Sequence, residues 1–201
     1  GLEITEEMQI KYLDLVITKL SAEHQQAYNY IVRRAKKKHP ILNEKRYGLQ
    51  YMVIDGPLQA LNIIYPHEEL EKADKTTHIE QFLYGKRGLN RIMKYSKERK
   101  SNYEYVDKIK KKFGEIFSSK GGNNSPLKRY SSKIYSIINN IKNKSEGIVL
   151  IYSNYIDGGC VPVALALEEM GITRYGPKSK SLFKTPPTKP YKIDKHSAKY
   201  I

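Results

Sequence analysis

The stretch EGIVLIYSNYIDGGCVPVALALEEMGITRYG, residues 146–176, constrains the fold more than any other part of the chain. Its first segment, 148–153, is apolar almost without interruption. Continuous rather than alternating apolarity predicts a strand covered on both faces, as in a parallel sheet packed between helices. A polar elbow with two glycines follows, then an apolar, Ala/Leu-rich run over 161–170 that predicts a helix with a broad buried face. Pro162 suits the first turn of that helix, where its missing N–H is harmless. GITRYG then opens a second strand or a turn. Upstream, Ile134, Ile137, Ile138 and Ile141 share one helical face. Ser131 or Ser132 is placed to cap that helix, and Gly147 closes the loop after it. Residues 128–176 therefore predict α–β–α–(β), the local pattern of a doubly wound α/β domain. The chain has no internal repeat.

Before this unit the texture is mixed. Residues 8–17 suit either a strand or a short helix, because periodicity does not decide between them. Ser21 reads as a helix N-cap with Glu23 and Gln25 in the first turns, and Ala27, Tyr28, Ile31 and Val32 follow at helical spacing. That helix ends in Arg33, Arg34, Lys36, Lys37 and Lys38, and Pro40 stops it. Cations at a helix C-terminus suit its dipole, so the cluster serves either capping and solvation or phosphate contact. Residues 41–66 predict irregular structure, with a turn at Gly56-Pro57. Leu58, Leu61, Ile63 and Ile64 form a short apolar patch that docks on a neighbouring lobe. Residues 67–126 are polar and Lys-rich, with helical spacing over 103–117 through Tyr105, Ile109, Phe113, Ile116 and Phe117. SSKGGNNSP, 118–126, has the composition of a flexible linker or hinge. The organisation expected is a helix within 1–40, a Lys-rich helical insertion and linker over 41–126, and the α/β unit with a basic tail loop over 127–201.

Charge narrows the partners. The 201 residues carry 36 Lys+Arg against 21 Asp+Glu, a formal +15. Such a field draws polyanions, nucleic acid being the commonest. A coding bias toward Lys, Asn, Ile and Tyr is the plain alternative, and the residue usage fits it. From Lys178 onward the tail holds seven Lys and one Asp. Prolines at 186, 187 and 190 forbid regular structure there, which predicts an exposed basic loop, or one ordered only by a polyanion. Cys160 stands alone, so neither an intrachain disulfide nor a cysteine-based zinc site can form, and a reducing compartment is expected. No apolar run reaches the ~18–20 residues of a membrane span and no signal peptide is visible, so no membrane partner is expected. The chain opens on Gly and closes on KYI, which reads as the start of another strand. Both ends lead to the expectation of a piece of something longer.

In open parallel sheets, ligands sit beyond the carboxyl ends of the strands. The run over 148–153 ends at Ser153, where the elbow SNYIDGG begins. Gly158 and Gly159 let a backbone approach a ligand closely. The next helix N-terminus offers N–H groups and a positive dipole end, and Ser153 and Asn154 add a hydroxyl and an amide. The plain alternative is a turn whose glycines serve its dihedral angles. Lys178 and Lys180 extend the candidate set into the tail. The kit for phosphate chemistry is missing: there is no G-x-x-x-x-G-K-[ST], no strand ending in an Asp-Glu pair for magnesium, and no Arg-rich closing motif. Arg174 is the only Arg after Arg129. His24, His39, His67, His78 and His196 lack metal spacing and are each expected at the surface. Asp157, the one acid of the elbow, reads as a turn former. No catalytic or metal-binding residue is assigned. Tyr152 and Tyr155 read as packing residues, and Cys160, Ala164, Leu165, Leu167 and Met170 as core.

YSSKIYSIINNIKN and EGIVLIYSNYIDGGCVPVALALEEMGITRYG together resemble the start of the second RecA-like lobe of superfamily 2 helicases of the Swi/Snf type. The likeness is to the branch of the nucleocytoplasmic large DNA viruses, or giant viruses, related to the poxvirus early-transcription-factor ATPase and nucleoside triphosphate phosphohydrolase I. In that family an S-x-K helix precedes a strand ending [IF]-[YF]-S-[QN]-[YF], the motif IV region. Ser131 or Ser132 with Lys133, then Ile151, Tyr152, Ser153, Asn154 and Tyr155, match it. LSAEHQQAYNYI, 20–31, is similar to the helix that opens the same lobe, through Leu20, Ser21 and Gln25, with Tyr28 one place early. GPLQALNIIYP, 56–66, is similar to the family's Q-A-x-N-x-x-[FY]-P segment. Residues 67–126 have no counterpart in it.

The resemblance implies an incomplete RecA-like lobe, α/β in class, preceded by a Lys-rich, mainly helical region. It implies ATP-driven translocation on DNA or RNA in viral transcription, in the virion or the viral factory of the host cytoplasm. ATP and magnesium would be held by the full-length parent with its first RecA-like lobe, and not by this piece alone. Ser153, Asn154, Gly158 and Gly159, with Lys178 and Lys180, would grip the nucleic-acid backbone. The alternative is a non-catalytic basic module that binds nucleic acid through its tail and helices, the α/β piece being scaffold. A Rossmann-like small-molecule enzyme fits less well, since no G-x-G-x-x-G follows the strand.

Overall fold

A computed structural model describes residues 15–38, 47–73, 78–96, 102–143, 147–186, 192–193 and 196–201, the side chains of 47–52, 192–193 and 196–197 excepted. The strand or helix expected over 8–17 lies outside them up to residue 14. Ser21 starts the first helix as its chemistry requires: its hydroxyl accepts from the His24 N–H at 3.0 Å, and α1 runs Ala22–Lys38. Lys36, Lys37 and Lys38 fill the last turn, against the negative end of the helix dipole. Two cations of the basic cluster pair inside the chain. Lys38 reaches Glu80 at 2.6 Å, and Arg34, largely buried, lies 3.6 Å from the same carboxylate.

Helix α2, Tyr47–Asn62, overturns the expected irregular stretch, because it continues through Gly56-Pro57. Pro57 removes one N–H from the ladder. Tertiary bonds pin the turns beyond it: Ala60 O accepts from His24 Nε2 at 2.6 Å, and Asn62 O from the Ser131 hydroxyl at 2.6 Å. Local propensity is a weak prior that such packing overrides. His24 is therefore buried rather than at the surface, and burial lowers its pKa, favouring the neutral ring. Ile63 and Ile64 are fully buried, as the apolar patch requires, while Leu58 at its start is 37% exposed.

Helix α3, Gly85–Ile92, leads straight into an antiparallel hairpin of β1 (Met93–Ser96) and β2 (Asn102–Tyr105). Helix α4, Asp107–Phe113, follows, so the helical spacing read over 103–117 splits into a strand and a helix. Gly114, at φ +81°, ends α4 and turns Ile116 and Phe117 into the core. Residues 118–126 are a hydrogen-bonded turn rather than a loose linker. Ser118 and Ser125 are buried, and Leu127 N donates to Ser118 O at 3.1 Å. Ser125 Oγ caps α5, Pro126–Tyr130, by accepting from Lys128 N at 3.3 Å. Composition pointed to a linker, but these serines bind backbone groups instead of water. Ser131 caps α6, Ser132–Asn143, accepting from Ile134 N at 3.0 Å. Ile134 and Ile138 are the buried edge of its apolar face.

The doubly covered strand over 148–153 is not found. The segment is extended, but Ile148, Val149 and Leu150 are 101%, 50% and 92% exposed. A central strand needs neighbours for its backbone groups and helices for both faces, and among the described residues no strand pairs with this one. Helix α7, Val161–Met170, is buried almost all round, and Gly171 ends it at φ +98°. Strand β3, Thr173–Arg174, pairs in parallel with β6, Lys199–Tyr200, so GITRYG takes the strand of its two alternatives and the strand read in KYI forms. Between them β4 (Lys192–Ile193) and β5 (His196–Ser197) pair antiparallel. The class is mixed α/β, mainly helical with small sheets. One core joins Tyr30 and Ile31 of α1, Leu89 of α3, Ile138 of α6 and Leu165 of α7. Among the described residues no helix is long and apolar enough to cross a membrane.

Candidate nucleic-acid interface

The elbow folds back on its own first residue. Ser153 Oγ accepts from Tyr155 N at 3.2 Å, the short loop that serine hydroxyls stabilise. Ile156–Cys160 then makes one wide π turn that runs into α7, with Cys160 N donating to Tyr155 O at 2.9 Å. Single π turns are rare and recur at functional sites. Gly158 and Gly159 are both buried. A Cβ on Gly159 would overlap Ser153 Oγ and lie 3.0 Å from Ser153 Cβ; one on Gly158 would lie 3.0 Å from Gln59 Oε1. The space that glycine opens is thus filled by the chain's own side chains.

The floor of the elbow comes from α2 and α3. Tyr65, fully buried, donates its hydroxyl to Asp157 O at 2.9 Å. Burial, then the nearby Asp157 charge, push the Tyr65 pKa well up, so it stays a donor. Its ring lies over Gly88, where a Cβ would overlap it. Gln59 is held against the φ +59° Gly85 and donates to Asp55 Oδ2 at 2.8 Å. The segment NIIYP, read in part as an apolar patch and as the end of the Q-A-x-N-x-x-[FY]-P likeness, supports the elbow through Tyr65.

The sequence-nominated residues divide. Ser153, Gly158 and Gly159 come together facing inward, and Asn154 is exposed beside them, its Oδ1 accepting from the Tyr152 hydroxyl at 2.5 Å. Tyr152 is 83% exposed rather than packed, because among the described residues no strand pairs with the run it belongs to. Cys160 is exposed rather than core. Leu165 and Leu167 are buried, while Ala164 and Met170 are partly so.

Lys178 and Lys180 lie exposed on the loop after β3, away from any ion pair in the described residues. The tail beyond them is not a free basic loop. Glu168, on α7 and 4% exposed, accepts from the Ser181 hydroxyl, from Leu182 N at 2.9 Å and from the Tyr200 hydroxyl at 2.7 Å. Phe183 is buried, and Lys184 N donates to Tyr103 O at 2.9 Å. A carboxylate buried in an apolar helix needs donors, and the tail supplies them without any polyanion. Pro187 and Pro190 fall outside the described residues. Glu168 was the missed signal: an acid inside ALALEEMG had to be answered from elsewhere in the chain. Its neighbour Glu169 is also buried and accepts from the Tyr105 hydroxyl at 3.0 Å. Burial, then the Glu115 charge, raise its pKa to about 7.

Among the described residues no group of three or more His, Cys, Asp or Glu is placed to hold a metal ion. No family model, no curated protein and no solved structure matches this chain.

Proposed function

We propose that this chain is the first part of the second RecA-like lobe of a superfamily 2, Swi/Snf-type ATPase of the large-DNA-virus branch, working on nucleic acid in viral transcription. One observation carries the reading: extended segment, elbow, α7 and β3 follow in order, and β3 pairs in parallel with β6. Parallel pairing is the feature shared with doubly wound sheets; among the described residues the connection from β3 to β6 carries the β4–β5 pair and not a helix. The formal +15 adds an attraction for a polyanion. On this reading residues 148–153 are a sheet strand whose neighbours are other strands of the lobe. Elbow and tail hold one stretch of nucleic-acid backbone while the partner lobe holds another. This chain's work is positioning: donors and cations fixed to a body that moves when the lobes close.

The residues present do not fit a nucleotide with magnesium. The elbow offers one carboxylate, Asp157, and its glycine spaces are filled by Ser153 and Gln59. ATP and magnesium would supply the free energy of closure from the first lobe of the parent. The setting proposed is the virion or viral factory of the host cytoplasm, a reducing compartment.

The exposure of Ile148, Val149 and Leu150 favours a second reading, a non-catalytic basic module with the α/β piece as scaffold. One experiment separates the two. Asn154, Lys178 and Lys180 are exposed, so changing them leaves the core intact. In the full-length parent, N154D/K178E/K180E should lower the nucleic-acid-stimulated ATPase by about fivefold or more, the scale of losing a few phosphate contacts, with the basal rate unchanged. Equal loss of both rates makes these residues structural, and a purified parent without ATPase leaves the basic module.

A further inference from the structure

We infer that the cleft between α7, the β3–β6 pair and the tail loop is a phosphodiester-binding site. This rests on the nucleic-acid reading above and moves the main contact from the elbow to the cleft. The cleft has a volume of about 430 Å³, within the range of natural ligand sites. Arg174 and Lys199 line it, and Lys178 and Lys180 stand on the loop that forms its rim. All four are exposed, and none makes an ion pair among the described residues. Lys199 Nζ donates to Thr173 Oγ1 at 2.6 Å, which fixes the ammonium and leaves two of its three N–H groups free.

One carboxylate lines the cleft. Glu168 is 4% exposed, and the Ser181 hydroxyl, Leu182 N and the Tyr200 hydroxyl all donate to it. Those bonds tie loop and strand to α7; the single carboxylate charge counts against an anion, and the four cations at the cleft outweigh it. The Ser179 hydroxyl, bonded to the carbonyls of Arg174 and Gly176 at 2.9 and 2.6 Å, closes the turn that carries Lys178 and Lys180. Open space beside unpaired cations is what a phosphate needs. At the elbow the corresponding space is occupied by Ser153 and Gln59.

Binding of a fluorescein-labelled oligodeoxythymidine of about 20 nucleotides, followed by anisotropy from about 20 to 200 mM NaCl, tests the site. R174E/K199E should bind about tenfold or more weaker than wild type. K86E/K111E, which alters charge equally at exposed positions elsewhere, should lose about threefold or less. The milder R174Q/K199Q, checked for an unchanged thermal melt, should flatten the log–log salt slope by about 1.4, the value for two single-strand phosphate contacts. Wild-type binding with equal weakening by both reversal pairs overturns the cleft and leaves the nucleic-acid reading standing. Absence of wild-type binding at the lowest salt removes both. Displacement of the oligonucleotide by millimolar inorganic phosphate, lost in R174Q/K199Q, marks a free-phosphate site and overturns the proposal of a polymer.

Discussion

Ser153 Oγ and the absent Cβ of Gly159 compete for one small space in the elbow. Gly159→Ala should therefore destabilise the chain by about 1–3 kcal/mol, the usual cost of overpacking. Ser153→Gly, which removes the colliding hydroxymethyl, should recover part of that loss in the double variant. Urea unfolding of the four chains should give a coupling of about 1 kcal/mol or more, and strictly additive costs would show that the two residues do not touch. Glu169 gives a pH-dependent prediction from the same helix. Its ordinary value of 4.5 is raised to about 7 in the fold. The folded state then binds its proton more tightly than the unfolded chain. The stability this confers is complete below about pH 4.5 and is lost as pH rises through about 7. Glu115 faces the carboxyl and adds to the rise; Lys110, Lys120 and the Tyr105 hydroxyl oppose it. Glu169→Gln keeps an acceptor for Tyr105 without a charge. It should match wild type near pH 5 and exceed it at pH 8 by on the order of 2 kcal/mol in urea unfolding. A stability difference that does not change with pH would contradict this account of the buried charge.

At the scale of elements, what the sequence discloses is what is settled within a few residues. Ser21 and Ser131 cap α1 and α6 because a hydroxyl needs only the next turn to find its N–H. Glycine after an Ala/Leu run ends α7 for an equally local reason. Long-range partners decide the rest. Gly56-Pro57 reads as a turn until His24 and Ser131 take the carbonyls of Ala60 and Asn62 and hold α2 in place. Likewise, nothing in SNYIDGG states that Gln59 and Ser153 fill the glycine spaces. Asn154, Lys178 and Lys180 are exposed, but the closeness of Arg174 and Lys199 depends on pairing between β3 and β6 across the tail. The apolar run over 148–150 is the opposite case, a segment that looks central and has no cover among the described residues. Ile148→Lys with Leu150→Lys should thus change the stability of this chain by no more than about 0.5 kcal/mol, as at other exposed sites. In the full-length parent, the RecA-like reading requires the same pair to cost several-fold more, on the order of 3 kcal/mol or above. Equal, small costs in both would leave the basic-module reading.

For the whole molecule, the question is whether a formal +15 is a general cloud or a directed contact. Part of the charge is already committed: Lys38 and Arg34 serve Glu80, Arg91 serves Glu68, and Lys184 reaches Glu104 at 3.0 Å. The four cations at the cleft have no such partner among the described residues, and Glu168 of α7, Gly171 after it and Thr173 of β3 line the same cleft. If those four carry binding to a single strand, the slope of log K against log salt should be near −2.8, from about −0.7 per phosphate contact. Raising NaCl fourfold, from about 50 to 200 mM, should then weaken binding by about fiftyfold. A duplex engaged by the same four groups should give a slope nearer −3.6, since each contact on B-DNA counts about −0.9. A slope beyond about −7 on the single strand would need more than twice that number of contacts. The basic end of α1 and the lysines of α4 would then be bound as well, and the polymer would wrap the helical body instead of lying in the cleft.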